Sequence, residues 1–442
     1  MIPKIIDLFS GCGGLSSGFV KAGFNIAAGL EIVPEAVQTA SYNLAWRYGM
    51  EDTHICADIT ETDGKIFNDK IGEEGCIVIG GPPCQAYSVA GRAKLKSLGE
   101  NRVNTKDARG YLYQDFLRFV YDTDARAVVM ENVPDSTTFG ELNVPQTVCI
   151  DLEKHGYKAY WTILNSADYG VPQIRERVFV LAIKESENKE ICLPVPTHRS
   201  KDNYITNNQK RLEGFKNFKN FRMPVSSENA SKVWVTVDNA FSDMPELFKT
   251  ADSKYRQPQL NEVAFYKTEA SNEFQELMRN WYGTENPAVS ANSFRKTERD
   301  FRIFERMKPG DNYPAAHEIA VKLFEEDARA YGYKAGTDNY EKLYKKTVPV
   351  YDTDKFESKW KRLDGSRPSH TLMAHLAKDT YSHIHPWEPR GISVREAARI
   401  QSFPDDFLFN CNMGEAYREI GNAVPPLLAY GIARALYKTF SE

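Results

Sequence analysis

The residue best suited to chemistry in this chain is a cysteine that follows a buried, apolar run. Cys84 stands in the segment 80–88, Gly-Gly-Pro-Pro-Cys-Gln-Ala-Tyr-Ser, directly after the apolar residues 76–79. The run predicts a buried parallel strand, and the two prolines must end its hydrogen-bond ladder. Cys84 is therefore expected at the carboxyl end of a strand, where open α/β sheets place reactive groups. It can be a nucleophile there, although a packing role fits the local sequence equally well.

A carboxylate and two arginines are candidates to act beside that cysteine. Glu131 follows the apolar run 127–130, so it is expected at the same sheet edge, where it can donate or accept a proton. Arg175 and Arg177 are two residues apart in an extended segment, so their side chains share one face. Together they can bind an anion or a carbonyl oxygen. The alternative is a surface ion-pair cluster with Glu176.

A glycine-rich segment after the first predicted strand indicates a nucleotide-like ligand. Residues 7–14 read Asp-Leu-Phe-Ser-Gly-Cys-Gly-Gly and open the first helix, where glycines admit a ligand close to the backbone. Glu31 ends the second strand, the place of a ribose-binding acid in nucleotide-binding folds, and Asp58 follows the third. The pattern is not Gly-x-Gly-x-x-Gly, which favours an adenosyl cofactor other than NAD. The alternative is a turn built only for packing.

The elements that must position these residues alternate between strand and helix. This pattern predicts an α/β fold, a Rossmann-like doubly wound sheet with a smaller irregular domain. The first domain is expected over residues 1–185, completed by 410–442, and the second over 186–409. Strands are predicted at 5–9, 25–30, 54–57, 77–79, 127–130, 160–164 and 178–183, and helices at 15–22, 34–46, 111–121 and 144–155.

Three features of the later chain are structurally informative. The middle region is polar, with a helical pattern at 316–331 and interleaved basic and aromatic residues, which suit either a nucleic-acid surface or plain solvent. Ser393 and Glu396 fit a helix-capping box. The apolar helix pattern at 426–440 is expected to dock on the α/β domain.

Composition limits the classes of protein to consider. The 442 residues predict two domains, and a net charge of −4 means that any nucleic-acid site must be a local basic patch. Seven scattered cysteines without a Cys-x-x-Cys pair argue against a disulfide framework or a zinc site and favour a reducing, intracellular compartment. Neither a signal peptide nor a membrane-spanning run is expected.

Taken in order, these motifs resemble those of the DNA (cytosine-5) methyltransferases of bacterial restriction–modification systems. The middle region lacks family motifs, as does the variable target-recognition domain of that family, apart from a motif at 391–407. The matching segments are 7–14, Glu31, Asp58, 81–85, 131–133, 173–177, 395–405 and 421–425.

The resemblance implies S-adenosyl-L-methionine as the cofactor and S-adenosyl-L-homocysteine as its product. Phe9 would pack on the adenine, Glu31 would hold the ribose, and Asp58 would meet the adenine amino group. Ile32 stands where some family members have an aromatic residue. The implied cofactor-binding residues are Asp7, Phe9, Gly11, Gly13, Gly14, Glu31, Ile32, Asp58, Ile59, Pro83, Asn422 and Val424.

The resemblance also implies roles for the candidate catalytic residues. Cys84 would add to carbon 6 of a cytosine flipped out of the duplex, and this addition would activate carbon 5. Glu131 would bind ring nitrogen 3 and the exocyclic amine, and Arg177 the carbonyl oxygen. Arg175 would support Cys84 or bind a phosphate.

A glycine-rich and basic loop between Cys84 and Tyr111 is expected to close over DNA as a lid, although a solvated loop is the alternative. Segments 201–222 and 342–362 are candidates for major-groove contact. The residues expected to contact DNA are Gln85, Ser88, Arg92, Lys94, Lys96 and Arg102.

The predicted function is sequence-specific methylation of cytosine carbon 5 in double-stranded DNA. The alternatives are a tRNA-type RNA cytosine-5 methyltransferase and a non-catalytic DNA-binding relative. A cytoplasmic monomer without metal is expected, paired in function with a restriction endonuclease.

Overall fold

The computed structural model describes residues 1–51, 53–83, 112–138, 142–201, 208–253, 256–283, 286–354 and 359–442. The chain divides into two compact units. The first comprises Met1–Trp234 with Ala423–Glu442, and the second comprises Val235–Asn422. The first unit thus runs beyond residue 185, where the sequence predicted a boundary, and regains the chain at 423 rather than 410.

A seven-stranded sheet forms the centre of the first unit, in the order β3-β2-β1-β4-β5-β7-β6. Its neighbouring strands are parallel, except that β7 is antiparallel to both β5 and β6. This arrangement confirms the predicted α/β class with a mainly parallel sheet. The strands are β1 (Lys4–Leu8), β2 (Ile26–Glu31), β3 (His54–Cys56), β4 (Cys76–Gly80), β5 (Ala127–Asn132), β6 (Tyr157–Asn165) and β7 (Glu176–Lys184). A separate pair, β8 (His198–Arg199) and β9 (Lys232–Val233), is parallel.

Local sequence explains where the helices of this unit begin. Gly13 precedes the first helix with φ 88°, a left-handed conformation that glycine adopts at little cost. Pro34 occupies the first turn of the second helix, where its missing N–H breaks no hydrogen bond. Asn143 caps the fifth helix by accepting from the Gln146 N–H at 3.0 Å. The helices are α1 (Gly14–Lys21), α2 (Pro34–Leu44), α3 (Asn68–Ile71), α4 (Leu112–Asp122), α5 (Val144–Lys154) and α6 (Asn208–Phe215).

The second unit is mainly helical. Its longest helix, Tyr313–Ala330, corresponds to the helical pattern predicted at 316–331. The predicted capping box is present, since Ser393 and Glu396 bond to each other's backbone N–H. The helices are α7 (Val237–Phe241), α8 (Glu273–Arg279), α9 (Glu298–Arg306), α10 (Tyr313–Ala330), α11 (Asp338–Thr347), α12 (Val394–Ile400) and α13 (Met413–Asn422), and the strands are β10 (Ala264–Phe265) and β11 (Ala288–Val289).

Buried ion pairs organise the second unit around α12. The Arg399 guanidinium contacts Asp243 at 2.7 Å and Asp405 at 2.5 Å, and all three side chains are inaccessible to solvent. Arg279 reaches the same Asp243 carboxylate at 2.7 Å. Removing one partner would leave a buried charge unpaired, so this network holds the unit in one arrangement.

Two packing contacts explain the extent of the first unit. The C-terminal helix α14 (Pro426–Ser441) lies so close to α1 that a Cβ on Gly18 would be 2.4 Å from the Ala429 Cβ. Along the edge of β6, the Trp161 N–H donates to the Asn220 carbonyl at 2.9 Å, and the Phe221 ring packs on the Trp161 indole. The chain beyond residue 185 therefore covers the sheet edge.

In the described part of the chain, no helix is long and apolar enough to cross a membrane.

Candidate active site

The candidate residues of the first unit gather where parallel strands end. The strands β1, β2, β4 and β5 end at Leu8, Glu31, Gly80 and Asn132. These strands are neighbours and run parallel, so their carboxyl ends form one edge. The turns that follow them bring together the glycine-rich segment, Glu31 and Glu131.

The glycine-rich segment is a tight turn held by Glu31. Phe9, Gly11 and Gly13 all have positive φ, at 58°, 52° and 88°. One carboxylate oxygen of Glu31 accepts from the Gly11 N–H at 3.0 Å, while the other accepts from the Ile32 N–H at 2.9 Å. The oxygen bonded to Ile32 also accepts from the Val33 N–H at 3.0 Å, whereas the oxygen bonded to Gly11 keeps a second acceptor direction, which can receive a ligand hydroxyl.

Asp7 supports this turn from beneath. It is 1% exposed, and the Ser16 hydroxyl at the start of α1 donates to its carboxylate at 2.6 Å. Burial raises the Asp7 pKa to about 7, although the Ser16 bond opposes the rise. Asp7 therefore links β1 to α1 across the turn and is too buried to make a broad contact with a ligand.

Ser10 is a polar residue of the turn that is not among the predicted cofactor-binding residues. Its Oγ is buried and makes no hydrogen bond to any residue that the structure describes. Buried hydroxyls are normally hydrogen-bonded, so this atom fits a site that takes a polar ligand. In the sequence, the place of Ser10 directly before a glycine of the turn indicates that its hydroxyl can contact a ligand.

The β2 and β3 ends present the residues expected at an adenine. Ile32 is 59% exposed at the end of β2, whereas Ile59 is 3% exposed and contributes only a buried flank. The Asp58 carboxylate accepts from the Thr60 N–H at 2.9 Å and from its hydroxyl at 2.8 Å. These bonds lower the Asp58 pKa, because they stabilise the charged form.

Glu131 and Arg177 form an ion pair in the site. The Arg177 Nε lies 2.9 Å from a Glu131 carboxylate oxygen, and each side chain is about 13% exposed or less. Burial raises the Glu131 pKa, while Arg177 and Arg175 oppose that rise. The pair therefore combines a carboxyl that readily takes a proton with a cation that orients it.

Gly81 leaves space for the Glu131 carboxylate, and Asn132 fixes the adjoining turn. A Cβ on Gly81 would lie 2.8 Å from a Glu131 carboxylate oxygen, so a side chain there would displace the carboxylate. Asn132 donates from its Nδ2 to the Pro82 carbonyl at 3.4 Å, which ties β5 to the turn after β4. Pro83 is partly exposed in that turn.

Arg175 and Glu176 have other partners than the anion or the surface ion-pair cluster that the sequence suggested. Arg175 is 2% exposed and donates to the Ala423 carbonyl at 3.2 Å, so it lies under the site and presents no open surface to a phosphate. The Glu176 carboxylate pairs with Arg211 at 2.7 Å, while Arg177 turns to Glu131. The two arginines are thus not a surface cluster around Glu176.

The two C-terminal candidates belong to different units. Asn422 is the exposed last residue of α13 in the second unit, and Val424 is 7% exposed in the first. Pro425 then begins the approach to α14. Gly14 is buried as the first residue of α1.

Several predicted residues lie outside the described residues. Cys84 and the six expected DNA contacts belong to the stretch 84–111, so their roles stay predictions. Those contacts are Gln85, Ser88, Arg92, Lys94, Lys96 and Arg102. Among the side chains that the structure describes, no group of three or more His, Cys, Asp or Glu residues could hold a metal ion.

The chain is similar to known proteins along almost its whole length. The family model described as C-5 cytosine-specific DNA methylase matches residues 3–438. The chain is 49% identical to M.OihORF3336P of Oceanobacillus iheyensis, with 99% of this chain and 96% of that protein covered. It is 30% identical to the type II methyltransferase M.AgeI of Thalassovita gelatinovora, with 98% and 99% covered. A prophage-encoded E. coli protein of known structure shares the fold, with a TM-score of 0.66, 22% identity and 99% of each chain covered.

Proposed function

This chain belongs to the C-5 cytosine-specific DNA methylase family, and from that premise we propose that it methylates one cytosine within a specific duplex DNA sequence. The relative M.AgeI is named a type II methyltransferase, which supports a role in restriction–modification beside a cognate endonuclease. The observation that carries the proposal is the Glu131–Arg177 ion pair, slightly exposed at the sheet edge that also holds the glycine turn and Glu31.

The turn between β1 and α1 fits an adenosyl cofactor. Its positive-φ glycines leave the backbone open, the Ser10 hydroxyl lacks a partner among the described residues, and one Glu31 oxygen can accept a further hydrogen bond. Glu31 would hold the ribose, Ile32 and Phe9 the adenine ring, and Asp58 the adenine amino group. When bound, S-adenosyl-L-methionine supplies an electrophilic methyl group on a sulfonium.

The cytosine must be activated before its carbon 5 can accept a methyl group. In the proposed mechanism the Cys84 thiolate adds to carbon 6, which breaks the aromatic system and moves an electron pair toward carbon 5. After methylation a base removes the carbon-5 proton, and the bond between sulfur and carbon 6 breaks to restore the ring. The assignment of Cys84 is supported by its place four residues after β4 and by the family match.

Glu131 and Arg177 would bind the flipped cytosine. A protonated or hydrogen-bonded Glu131 would stabilise charge at ring nitrogen 3 as the thiolate adds, and its raised pKa favours that role. Arg177 would donate to the carbonyl oxygen from its remaining N–H groups. Arg175, buried against Ala423, would act only by supporting this pair.

Bisulfite sequencing of DNA from a host that expresses the protein tests the reaction and reveals its target sequence. A duplex of that sequence with 5-fluorocytosine at the target should then trap the enzyme covalently, because fluorine cannot leave as a proton. Cys84→Ala should abolish both methylation and trapping. Trapping on RNA alone would favour the RNA-directed alternative, and no modification of either nucleic acid would favour a non-catalytic relative.

A further inference from the structure

A small parallel ribbon in the first unit consists of β8 and β9. His198 pairs with Lys232, and Arg199 pairs with Val233. The Trp234 N–H donates to the Arg199 carbonyl at 2.9 Å, which closes the ribbon at its end. Paired residues of parallel strands point to the same side, so Arg199 shares a side with Val233, which is 50% exposed.

The 3₁₀ turn Ser166–Tyr169 after β6 anchors both strands of the ribbon. The Thr197 N–H, just before β8, donates to the Asp168 carbonyl at 2.9 Å. The Trp234 indole N–H, just after β9, donates to the Asp168 carboxylate at 2.8 Å. His198 packs on Gly170, where a Cβ would be 2.7 Å from the imidazole ring. The ribbon is therefore fixed to one point of the fold.

That point lies at the edge of the candidate site. Both β5 and β6 are antiparallel to β7, so they are parallel to each other and end at the same edge. Leu164 of β6 pairs with Arg177, and the Ser166 N–H donates to the Arg175 carbonyl at 2.8 Å. The turn that carries the ribbon is thus bonded to the segment that carries the two site arginines.

Two cations lie at the end of β8. Lys201 is exposed, and Arg199 is half-buried. In the part of the chain that the structure describes, neither Arg199 nor Lys201 forms an ion pair. The nearby carboxylates have other partners, since Asp168 accepts from Trp234 and Glu176 pairs with Arg211.

We propose that Arg199 and Lys201 bind phosphates of the DNA backbone beside the cytosine that is methylated. This inference rests on the proposed function, which brings duplex DNA to the same sheet edge. A protein with a net charge of −4 needs local cationic patches to bind DNA. A rigidly anchored ribbon suits phosphate contacts, which set the position of the protein on the duplex without reading its sequence.

The test measures the affinity of the full-length R199Q/K201Q variant for the target duplex by fluorescence anisotropy between 50 and 200 mM salt. Each lost phosphate contact lowers the slope of log K against log salt by about 0.9, so a reduction of about 1.8 is expected. The methylation rate at saturating DNA should stay near that of the wild type, because neither residue belongs to the catalytic group.

The matched control is K65Q/K70Q, which removes two exposed lysines that precede β4. They lie at the amino edge of the sheet, where the Lys70 carbonyl accepts from Lys4 at the start of β1, and their loss should leave the slope unchanged. An R199Q/K201Q slope equal to that of the wild type would overturn the proposal, as would an equal reduction in the control. A wild-type enzyme that fails to methylate cytosine would instead reject the proposed function.

Discussion

At the scale of single residues, Glu131 combines low solvent exposure with an ion pair to Arg177. Its carboxylate is buried against Arg177 at 2.9 Å, and a Cβ on Gly81 would come within 2.8 Å of it. Burial raises the pKa of this carboxyl, whereas Arg177 opposes the rise and orients the group. In the proposed mechanism, Glu131 would hydrogen-bond a cytosine whose ring nitrogen gains a proton.

Glu131→Gln should lower the methylation rate at saturating substrate by about 10²-fold or more, the range found when a general acid is lost. The amide keeps the shape but cannot transfer the proton. Transfer of a radiolabelled methyl group to DNA measures the effect. Glu176→Gln is the matched control, because Glu176 directly precedes Arg177 in the chain but pairs with Arg211 instead. Equal losses in both variants would contradict the assigned role.

Asp7 should make stability depend on pH. Its pKa rises from 3.8 to about 7 on folding, so the folded state holds a proton that the unfolded state has lost. Its contribution is therefore fully present below about pH 4 and is lost as the pH rises to 7, by roughly 4 kcal/mol at most. Urea unfolding across this range should show that loss in the wild type relative to Asp7→Asn. Parallel curves for the two proteins would disprove the assignment.

At the scale of elements, strand ends of the first unit carry the proposed site, since the turns after β1, β2, β4 and β5 supply the proposed cofactor and base contacts. In the second unit, α13 ends at Asn422. Gly421, just before Asn422, packs on the backbone of residues 373 and 374, where a Cβ would lie 2.3 Å from the Ala374 nitrogen. The end of α13 is thus positioned by a neighbouring backbone segment that cannot yield cheaply.

Gly421→Ala should lower the free energy of unfolding by about 1–3 kcal/mol, because its Cβ would overlap the backbone of residues 373 and 374. Urea unfolding of the full chain measures the effect. Gly414→Ala is the control on the same helix, since a Cβ there would be 3.2 Å from the Asn412 side chain and ordinary helix propensity favours alanine. Unchanged stability in the Gly421 variant would contradict the close backbone contact at the end of α13.

At the scale of the whole molecule, the second unit is distinguished by the ionisable groups that it buries. The second unit buries the Arg399–Asp243–Asp405 network together with two stacked histidines, His370 and His383, whose ring centres are 4.1 Å apart. Burial lowers the pKa of His370 to about 4 and that of His383 well below its usual range. Acid must therefore protonate groups that the folded unit keeps neutral.

Stability of the second unit should accordingly fall in acid. The His370 pKa is 6.5 when unfolded and about 4 when folded, so its contribution is present above pH 6.5 and is lost as the pH falls to 4. The loss approaches about 3.5 kcal/mol, because the two pKa values differ by about 2.5 units at about 1.4 kcal/mol per unit. Thermal denaturation of the full chain at several pH values should show less acid sensitivity in His370→Gln than in the wild type. The exposed His375→Gln serves as control and should match the wild type.

The sequence by itself determined most elements of the first unit and their order. Apolar runs bounded by glycine and proline predicted β4 and β5, and hence that Glu131 stands at a strand end, because strand formation depends on side chains close along the chain. The ordered motifs likewise predicted the family, which the match over residues 3–438 confirms. The role of Cys84, outside the described residues, stays a prediction.

Only the tertiary structure decided which partner each charged group takes. Arg177 pairs with Glu131, Glu176 with Arg211, and Arg175 with the Ala423 carbonyl, over separations of 35 to 248 residues. The boundary after Trp234 likewise depends on the chain beyond residue 185 packing along β6. Such pairings follow from how the sheet is assembled in space, and hydrophobic periodicity, which reports only near neighbours, carries no record of them.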